Sequence, residues 1–281
     1  MNQINPLKQY FRQPAIYIRL PSEGRFYPPT AIEMPVNGEI PVFPMTAIDE
    51  ITYRTPDALF NGQAVVSVIE SCLPNIKNAW AVPAMDVDTI LVAIRIASYG
   101  HNMEFASACP KCNDVTDRVL DLRTVLDSIK TPDYTKSFKY GDMEFFFKPM
   151  SYKNLTDNNK MQYDEQKILQ LLPNENTPDS EKVAALNAAL KKITEVTVQA
   201  LSQSIATVKT PSAMVTEPHY IQDLLQNCDR KLFNDLRDHI VDLKGQAELK
   251  PVEIECAVET CKHHYQQAIT LDMTNFFVDA S

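Results

Sequence analysis

The chain has 281 residues, 44% of them hydrophobic and 22% charged, with a formal net charge of -9. That length can bury one large core or two modest ones, and that composition excludes extensive disorder. The acidic balance excludes a general nucleic-acid binder, which needs a concentrated basic face, and no apolar run approaches the roughly 20 residues that span a bilayer.

Eleven of the nineteen prolines precede residue 84, so the N-terminal third is expected to consist of extended, proline-stiffened segments and short elements. Residues 16 to 20 alternate and are β-rich, which predicts a first strand. Ser22-Glu-Gly-Arg-Phe follows as a turn in which Gly24 can take positive φ, then an extended path through Pro28 and Pro29. Residues 39 to 45 read as a second strand, an edge one because Pro41 and Pro44 cannot donate to a ladder. Thr46 and Asp49 form a capping-box pattern that opens a short helix.

Thr55-Pro56-Asp57 combines an N-cap, a proline at the first helical position and an acid in the first turn. It predicts a helix to about Cys72 with Ala58, Val65, Val68 and Ile69 inward, stopped by Pro74. Trp80 falls in a loop. Asp86 reads as the cap of a helix from 87 to 99, closed by Gly100 and apolar nearly all round, hence the core helix of this region. Arg95 within it is expected to reach the surface or pair with a carboxylate.

Residues 118 to 122 predict a strand, followed by a short helix. A hairpin comes next, with strands 136 to 140 and 143 to 148 turned at Gly141-Asp142. From 151 to 244 the period becomes helical. Met161, Glu165, Ile168 and Leu172 keep one seam, and Val183, Leu186, Leu190 and Ile193 another, with a Pro-Asn-Glu-Asn-Thr-Pro loop between them. This helical hairpin either forms a partner-binding arm or joins a three-helix bundle with an amphipathic helix from about 218, carrying Ile221, Leu225, Cys228, Leu232, Leu236 and Ile240 and ended by Gly245. Strand character returns at 252 to 256 and at 265 to 271.

Four of the six cysteines carry the clearest chemistry. Cys109-Pro-Lys-Cys112 and Cys256-Ala-Val-Glu-Thr-Cys261 are short turns able to aim two thiolates each at one tetrahedral ion. After each pair, apolar residues recur at equal offsets: Leu120 and Leu122 after Cys112, Ile269 and Leu271 after Cys261. Further apolar residues follow, Val125 and Leu126 in one case and Phe276 and Phe277 in the other, with an acid beside each set, Asp121 and Asp272. The pattern is one strand–knuckle–strand unit used twice, as in a zinc ribbon, with one structural zinc ion shared. Unliganded buried thiols and CxxC redox chemistry are the other readings. No thioredoxin-like pattern surrounds Cys109, and the N-terminus lacks signal-peptide character, so a reducing cytoplasm is expected. His263 and His264 read as surface residues, and Cys72 and Cys228 as core positions.

Several stretches go beyond generic chemistry: Ile18-Arg-Leu-Pro-Ser-Glu-Gly-Arg-Phe-Tyr-Pro-Pro, Gly38-Glu-Ile-Pro-Val-Phe-Pro-Met-Thr-Ala-Ile-Asp-Glu-Ile, Thr55-Pro-Asp-Ala-Leu-Phe-Asn-Gly and Leu91-Val-Ala-Ile-Arg-Ile-Ala-Ser-Tyr-Gly, with Cys-Pro-Lys-Cys close behind. Over about residues 15 to 130, and again through Cys256, Cys261 and Asn275-Phe-Phe, the chain resembles the T4-type bacteriophage baseplate protein family. Residues 131 to 249 carry no such resemblance. The resemblance implies a non-enzymatic hub subunit or hub assembly protein of a contractile tail, in the virion baseplate or in the host cytoplasm during assembly. Its partners would be other baseplate hub proteins, with no nucleic acid, membrane or small-molecule substrate. Arg25, Phe26 and Tyr27 form an aromatic and cationic strip that either docks a partner or packs on its own domain.

The sequence contains no glycine-rich phosphate loop, GxSxG or HExxH, which speaks against an enzyme. A zinc-ribbon nucleic-acid module and an uncharacterised metalloenzyme are the alternative functions. The expected fold is α+β. It has an N-terminal strand-and-helix domain over 1 to 105, a zinc-ribbon-like four-cysteine unit over 106 to 130 with 250 to 281, and a β-hairpin plus mainly helical insertion over 131 to 249.

Overall fold

The computed structural model describes residues 5–53, 62–171 and 179–269. The fold is α+β, with helices and, among the described residues, four small antiparallel sheets. The chain divides into two compact units, one of residues 1–79, 86–130 and 248–281, the other of 80–85 and 131–247. The second is inserted in sequence between the two segments that carry the clustered cysteines.

In the first unit, β1 (Ile16–Ile18) pairs with β2 (Ile40–Val42), Ile16 opposite Val42. Ile18, Ile40 and Val42 point into the core, and Pro41 is tolerated because a two-stranded ladder leaves one side of each strand unpaired. α1 (Ala47–Tyr53) opens with the expected capping box: the Asp49 carboxylate accepts the Thr46 N–H at 2.7 Å and the Thr46 hydroxyl accepts the Asp49 N–H at 3.2 Å. Arg12 ties the N-terminal segment down, donating to the carbonyl of Pro44 and to the carbonyl and hydroxyl of Ser71 at 2.7 and 2.8 Å, 3.4 Å from Asp49.

The helix expected from Thr55 to Cys72 does not run through. α2 spans Gln63–Cys72, preceded by Gly62 at φ 77°, a left-handed conformation that ends any right-handed helix and that glycine adopts without strain. The start signal at Thr55-Pro56 and the inner position Ala58 lie outside the described residues. Val65, Val68 and Ile69 are buried as expected.

α3 (Ala84–Tyr99) is the core helix, closed by Gly100 at φ 85°. It begins two residues before Asp86, so Asp86 is not its cap. Instead its buried carboxylate accepts the Ser22 N–H at 2.8 Å, the Ser22 hydroxyl at 2.5 Å and the Tyr27 hydroxyl at 2.9 Å. Burial pushes this carboxyl up to about 6 while those donors pull it back. Arg95 does not take the first of its two expected placements, at the surface. It is 4% exposed, with its guanidinium 4.7 Å from the Tyr99 ring centre, so it stays inside rather than reaching the surface.

In the second unit, β5 (Phe138–Tyr140) and β6 (Met143–Phe147) form the expected hairpin, turned through Gly141 at φ 56°. Two strands that the helical reading had absorbed or passed over, β7 (Ile205–Lys209) and β8 (Met214–Val215), extend it to a sheet ordered β5-β6-β7-β8. The β-branched run Ile205-Ala-Thr-Val explains the switch out of helix. α5 (Tyr152–Leu171) and α6 (Asp179–Ser204) are the two long helices of the predicted helical hairpin. The single helix expected from 218 to 244 is two, α7 (Pro218–Asn227) and α8 (Arg230–Ala247). Cys228 turns extended, and the Asp229 carboxylate takes the Leu232 N–H at 2.9 Å to start the second helix. Gly245 lies inside α8 rather than ending it. Phe145 and Phe147 of the sheet, Val198 and Leu201 of α6, and Ile221, Leu225, Leu236 and Ile240 of α7 and α8 share one core.

His239 on α8 sits against the rings of Phe147 (centroids 4.6 Å) and Phe138 (5.8 Å), and among the described residues its buried Nε2 has no hydrogen-bond partner. Burial lowers its pKa from 6.5, partly opposed by Asp242. A base held neutral in the fold contributes stability that is intact above 6.5 and lost as pH falls from there through its folded value. His239→Leu should therefore flatten the pH dependence of urea unfolding below pH 6.5, with wild type losing stability over that window. Asp86→Asn should cost about 1–3 kcal/mol in the same assay at pH 7, because one of the two accepting oxygens becomes an NH2 set either against the Ser22 amide or against the Ser22 and Tyr27 hydroxyls.

Candidate metal centre

Each cysteine pair closes a hairpin. β3 (Asn102–Ala108) runs directly into Cys109, and β4 (Val115–Asp121) begins three residues after Cys112. β9 (Val252–Glu255) runs directly into Cys256, and β10 (His264–Gln267) begins three residues after Cys261. β4 leads into a short helix, α4 (Leu122–Ser128), whose first turn is capped by Asp121.

The backbone of the two knuckles matches as well. The N–H of the first cysteine donates to the carbonyl two residues beyond the second: Cys109 to Asp114 and Cys256 to His263, both at 2.9 Å. The residue after the second cysteine is left-handed in both, Asn113 at φ 58° and Lys262 at φ 41°. That conformation is uncommon for residues with a Cβ, and it turns the chain sharply enough for both sulfurs of a pair to face the same side.

The hairpins lie face to face through the inward residues of each ladder. Ser107 and Tyr265 hydroxyls are 2.8 Å apart, Ser107 donates to the Gln267 side-chain oxygen at 3.3 Å, and Arg118 donates to the Glu255 carbonyl at 2.6 Å. This stacking brings the two turns together. All four sulfurs lie within 4.8 Å of one another, with Cys109 Sγ 3.9 Å from Cys261 Sγ and Cys112 Sγ 3.6 Å from Cys256 Sγ.

Those distances are compatible with one metal ion shared by the four cysteines. A disulfide needs about 2.05 Å, so neither close pair is bonded. Four thiolates around a tetrahedral ion at about 2.3 Å place neighbouring sulfurs about 3.8 Å apart, which falls between the two observed separations. The donor set fits a four-coordinate thiophilic ion. With four sulfurs in place no position is left for substrate, so the site has the form of a structural rather than a catalytic centre.

Electrostatics point the same way. Burial raises the Cys109 thiol, but the amides of Cys112 and Lys111 and the side chains of Cys112 and Cys256 outweigh it and bring it down to about 7. At Cys112 the Asp114 amide favours the thiolate, yet burial and the three neighbouring thiols push it up to about 12. One thiolate forms readily and the next resists, unless a cation offsets the accumulating charge.

Sequence reading found the four cysteines and the apolar flank at Leu120 and Leu122, both buried. Ile269 lies just past β10, and Leu271, Asp272, Phe276 and Phe277 lie outside the described residues. It missed β3, although Met103 and Phe105 alternate with polar or small residues there. It also missed Arg118 and Tyr265, whose partners are distant in sequence. His263 is half-buried and stacks on Tyr265 (centroids 6.3 Å), His264 is exposed, and neither belongs to the cluster. Cys72 is buried and Cys228 partly so, both apart from it.

The Arg25-Phe26-Tyr27 strip is a tight turn in which Phe26 also takes positive φ, 70°. An added Cβ at Gly24 would sit 2.5 Å from Met34 Cγ, so that glycine also serves a close approach. Tyr27 is held by Asp86, with burial, that neighbouring charge and its hydrogen bond all raising its pKa. Arg25 pairs with Glu23 at 2.9 Å and, like Phe26, lies on the surface. The structure thus brings the four cysteines together and divides the strip between core and surface.

The chain is a mixed α/β protein in which two hairpins bring together four cysteines that could hold a metal ion. Among the described residues no helix is long and apolar enough to cross a membrane. The family described as T4 bacteriophage base plate protein matches residues 33–278, and the chain belongs to that family. The matched span contains all four cysteines and runs through residues 131 to 249, the section that sequence resemblance alone left unmatched. No curated protein and no solved structure matches the chain.

The geometry predicts one metal ion per chain by elemental analysis of protein purified without chelator. Cys112→Ser and Cys256→Ser, which remove one sulfur from each hairpin, should each abolish that metal. Each should also lower the melting temperature by on the order of 10 °C, the shift a few kcal/mol produces in a chain of this size.

Proposed function

We propose that the chain is a non-enzymatic structural or assembly subunit of the central hub of a contractile-tail baseplate, held in shape by one zinc ion on Cys109, Cys112, Cys256 and Cys261. The observation that carries this reading is the family match over residues 33–278 together with a closed set of four sulfur ligands. Zinc is the ordinary occupant of a four-thiolate tetrahedral site and has no redox chemistry of its own. Its binding, on the order of 10 kcal/mol in small zinc-dependent folds, is ample to hold two hairpins.

In this reading the ribbon halves, 106–130 and 250–281, act as one element, with an N-terminal domain over 1–105 and an insertion over 131–249. The protein works through contacts with other hub proteins, in the virion tail and in the host cytoplasm while the baseplate is built. Arg25 and Phe26, exposed on a turn whose base is fixed by Tyr27 and Asp86, form one such contact. The helical hairpin within 161–205 forms another.

The test is recovery of a tagged chain from infected cells. The wild-type protein should bring down baseplate hub intermediates, and Cys256→Ser should reduce that recovery at least tenfold. A chain recovered only free of other tail proteins would sink the hub assignment. Hub assembly that proceeds normally with residues 151–245 deleted would remove the helical hairpin from it.

A further inference from the structure

The four clustered sulfurs form two couples, each with one member from each hairpin. Cys112 Sγ lies 3.6 Å from Cys256 Sγ, and Cys109 Sγ lies 3.9 Å from Cys261 Sγ. The couples use all four sulfurs and share none, so both can close at once. Closing them to the roughly 2.05 Å of a disulfide asks each sulfur to move by less than about 1 Å. Rotation of the cysteine side chains can supply such a shift. The two cysteines of one knuckle are placed differently. The left-handed turn at Asn113 or Lys262 sets their sulfurs to the same side, whereas the sulfurs of a couple approach from opposite hairpins.

Access divides each couple in the same manner. Cys112 is exposed while Cys256 is 5% exposed, and Cys261 is half-buried while Cys109 is 1% exposed. An accessible thiolate beside a sheltered second thiol is the arrangement of a redox-sensing pair. The first meets the oxidant, and the second resolves the product before it is oxidised further. A bound zinc ion holds its cysteines as thiolates, the nucleophilic form. Zinc takes no electrons itself, so a two-electron oxidant acts on the sulfurs.

We propose that the four-cysteine centre is a redox-convertible clasp, in which a hydroperoxide expels the ion and leaves the hairpins joined by two disulfides, Cys112–Cys256 and Cys109–Cys261. With hydrogen peroxide, the accessible thiolate of each couple attacks the O–O bond, becomes a sulfenic acid and releases hydroxide. The sheltered thiolate then attacks that sulfur, the S–S bond forms, and the sulfenic oxygen leaves as a second hydroxide. Both hydroxides take up protons and become water. Each couple gives up two electrons and each peroxide accepts two. With no thiolate left to bind it, the ion departs.

Release of zinc rests on the zinc reading proposed above, whereas the pairing of the sulfurs does not. In that reading the chain passes from a reducing host cytoplasm into a virion, and outside the cell thiols are no longer kept reduced. The clasp then changes its chemistry without freeing either hairpin.

The test is peroxide titration of the full, metal-loaded chain. It is followed by metal release to a colorimetric chelator, by peptide mapping under non-reducing conditions and by melting temperature. Release should be complete at about two peroxide molecules per ion, one for each two-electron couple. The map should link Cys112 to Cys256 and Cys109 to Cys261. The oxidised, metal-free chain should melt on the order of 10 °C above chain that is chelated and kept reduced. Linkage within a knuckle, Cys109 to Cys112 or Cys256 to Cys261, overturns the proposal. So do sulfinic or sulfonic acids in place of cross-links, or metal retained against excess peroxide. So does an oxidised chain that melts no higher than the chelated one. A chain that carries no metal beforehand sinks the zinc reading, and the peptide map still decides the pairing.

Discussion

Cys112 and Cys256 are 144 positions apart in the chain, and their sulfurs are 3.6 Å apart. That closure joins the late β9–β10 hairpin to the β3–β4 hairpin of the first unit. The β3–β4 ladder leaves α3 almost at once and the β9–β10 ladder arrives only after the whole second unit, so neither can find the other through local sequence. Each is a two-stranded hairpin, marginal in water by itself. Closing so long a loop costs little more than closing a short one, because the entropy grows only with the logarithm of length. The cost that matters is local: ordering two knuckles with left-handed residues at Asn113 and Lys262 and gathering four thiols that resist joint ionisation.

The remainder of the first unit uses polar pins where the ribbon uses sulfur. Arg12 reaches from the N-terminal segment to acceptors at Pro44 and Ser71, beside Asp49. Asp86 reaches from the first turn of α3 to Ser22 and Tyr27. Both are charged groups taken largely out of water, which is tolerable only with several partners at once. Their common effect is to fix irregular, proline-rich chain that has no ladder of its own. The exposed turn at Arg25 and Phe26 is positioned by this pin rather than by secondary structure. That is why a segment with left-handed residues at Glu23, Gly24 and Phe26 holds a defined shape.

What could be read from the sequence divides along the same line. Signals that close within four residues were legible: the Thr46–Asp49 capping box, the turn at Gly141, the helix end at Gly100, and the paired spacing of the cysteines with Leu120 and Leu122 behind them. Signals that close over long range were not. Asp86 looked like a cap because an acid before an apolar run is one, and nothing local announces that Ser22 and Tyr27 will claim it. Ile205 to Lys209 looked like the tail of a helical region because its strand partner, β6, lies some sixty residues upstream. The break at Cys228-Asp229 was written locally, as an acid three residues before Leu232, but the apolar period continues across it and masks the cap. Gly62 falls inside the helix predicted from Thr55 to Cys72, and nothing beside it in sequence announces its φ of 77°.

The burial of the ribbon strands explains why this part of the molecule needs more than a hydrophobic core. In β3 and in β4 a single residue is fully buried, Ser107 and Leu120 respectively, while alternate positions along both strands are exposed. In β9 it is Ile254, and in β10 there is none. At about 25 cal/mol per Å² of apolar surface removed from water, two leucine-sized side chains cannot offset the ordering of four strands and two strained turns. α3, by contrast, buries Ile90, Leu91, Val92 and Ile94 and holds its part of the unit by ordinary packing. The cysteines occur where apolar burial runs out. A metal ion held there would add to the few cross-hairpin contacts, such as Ser107 with Tyr265 and Arg118 with Glu255, that the surrounding residues supply.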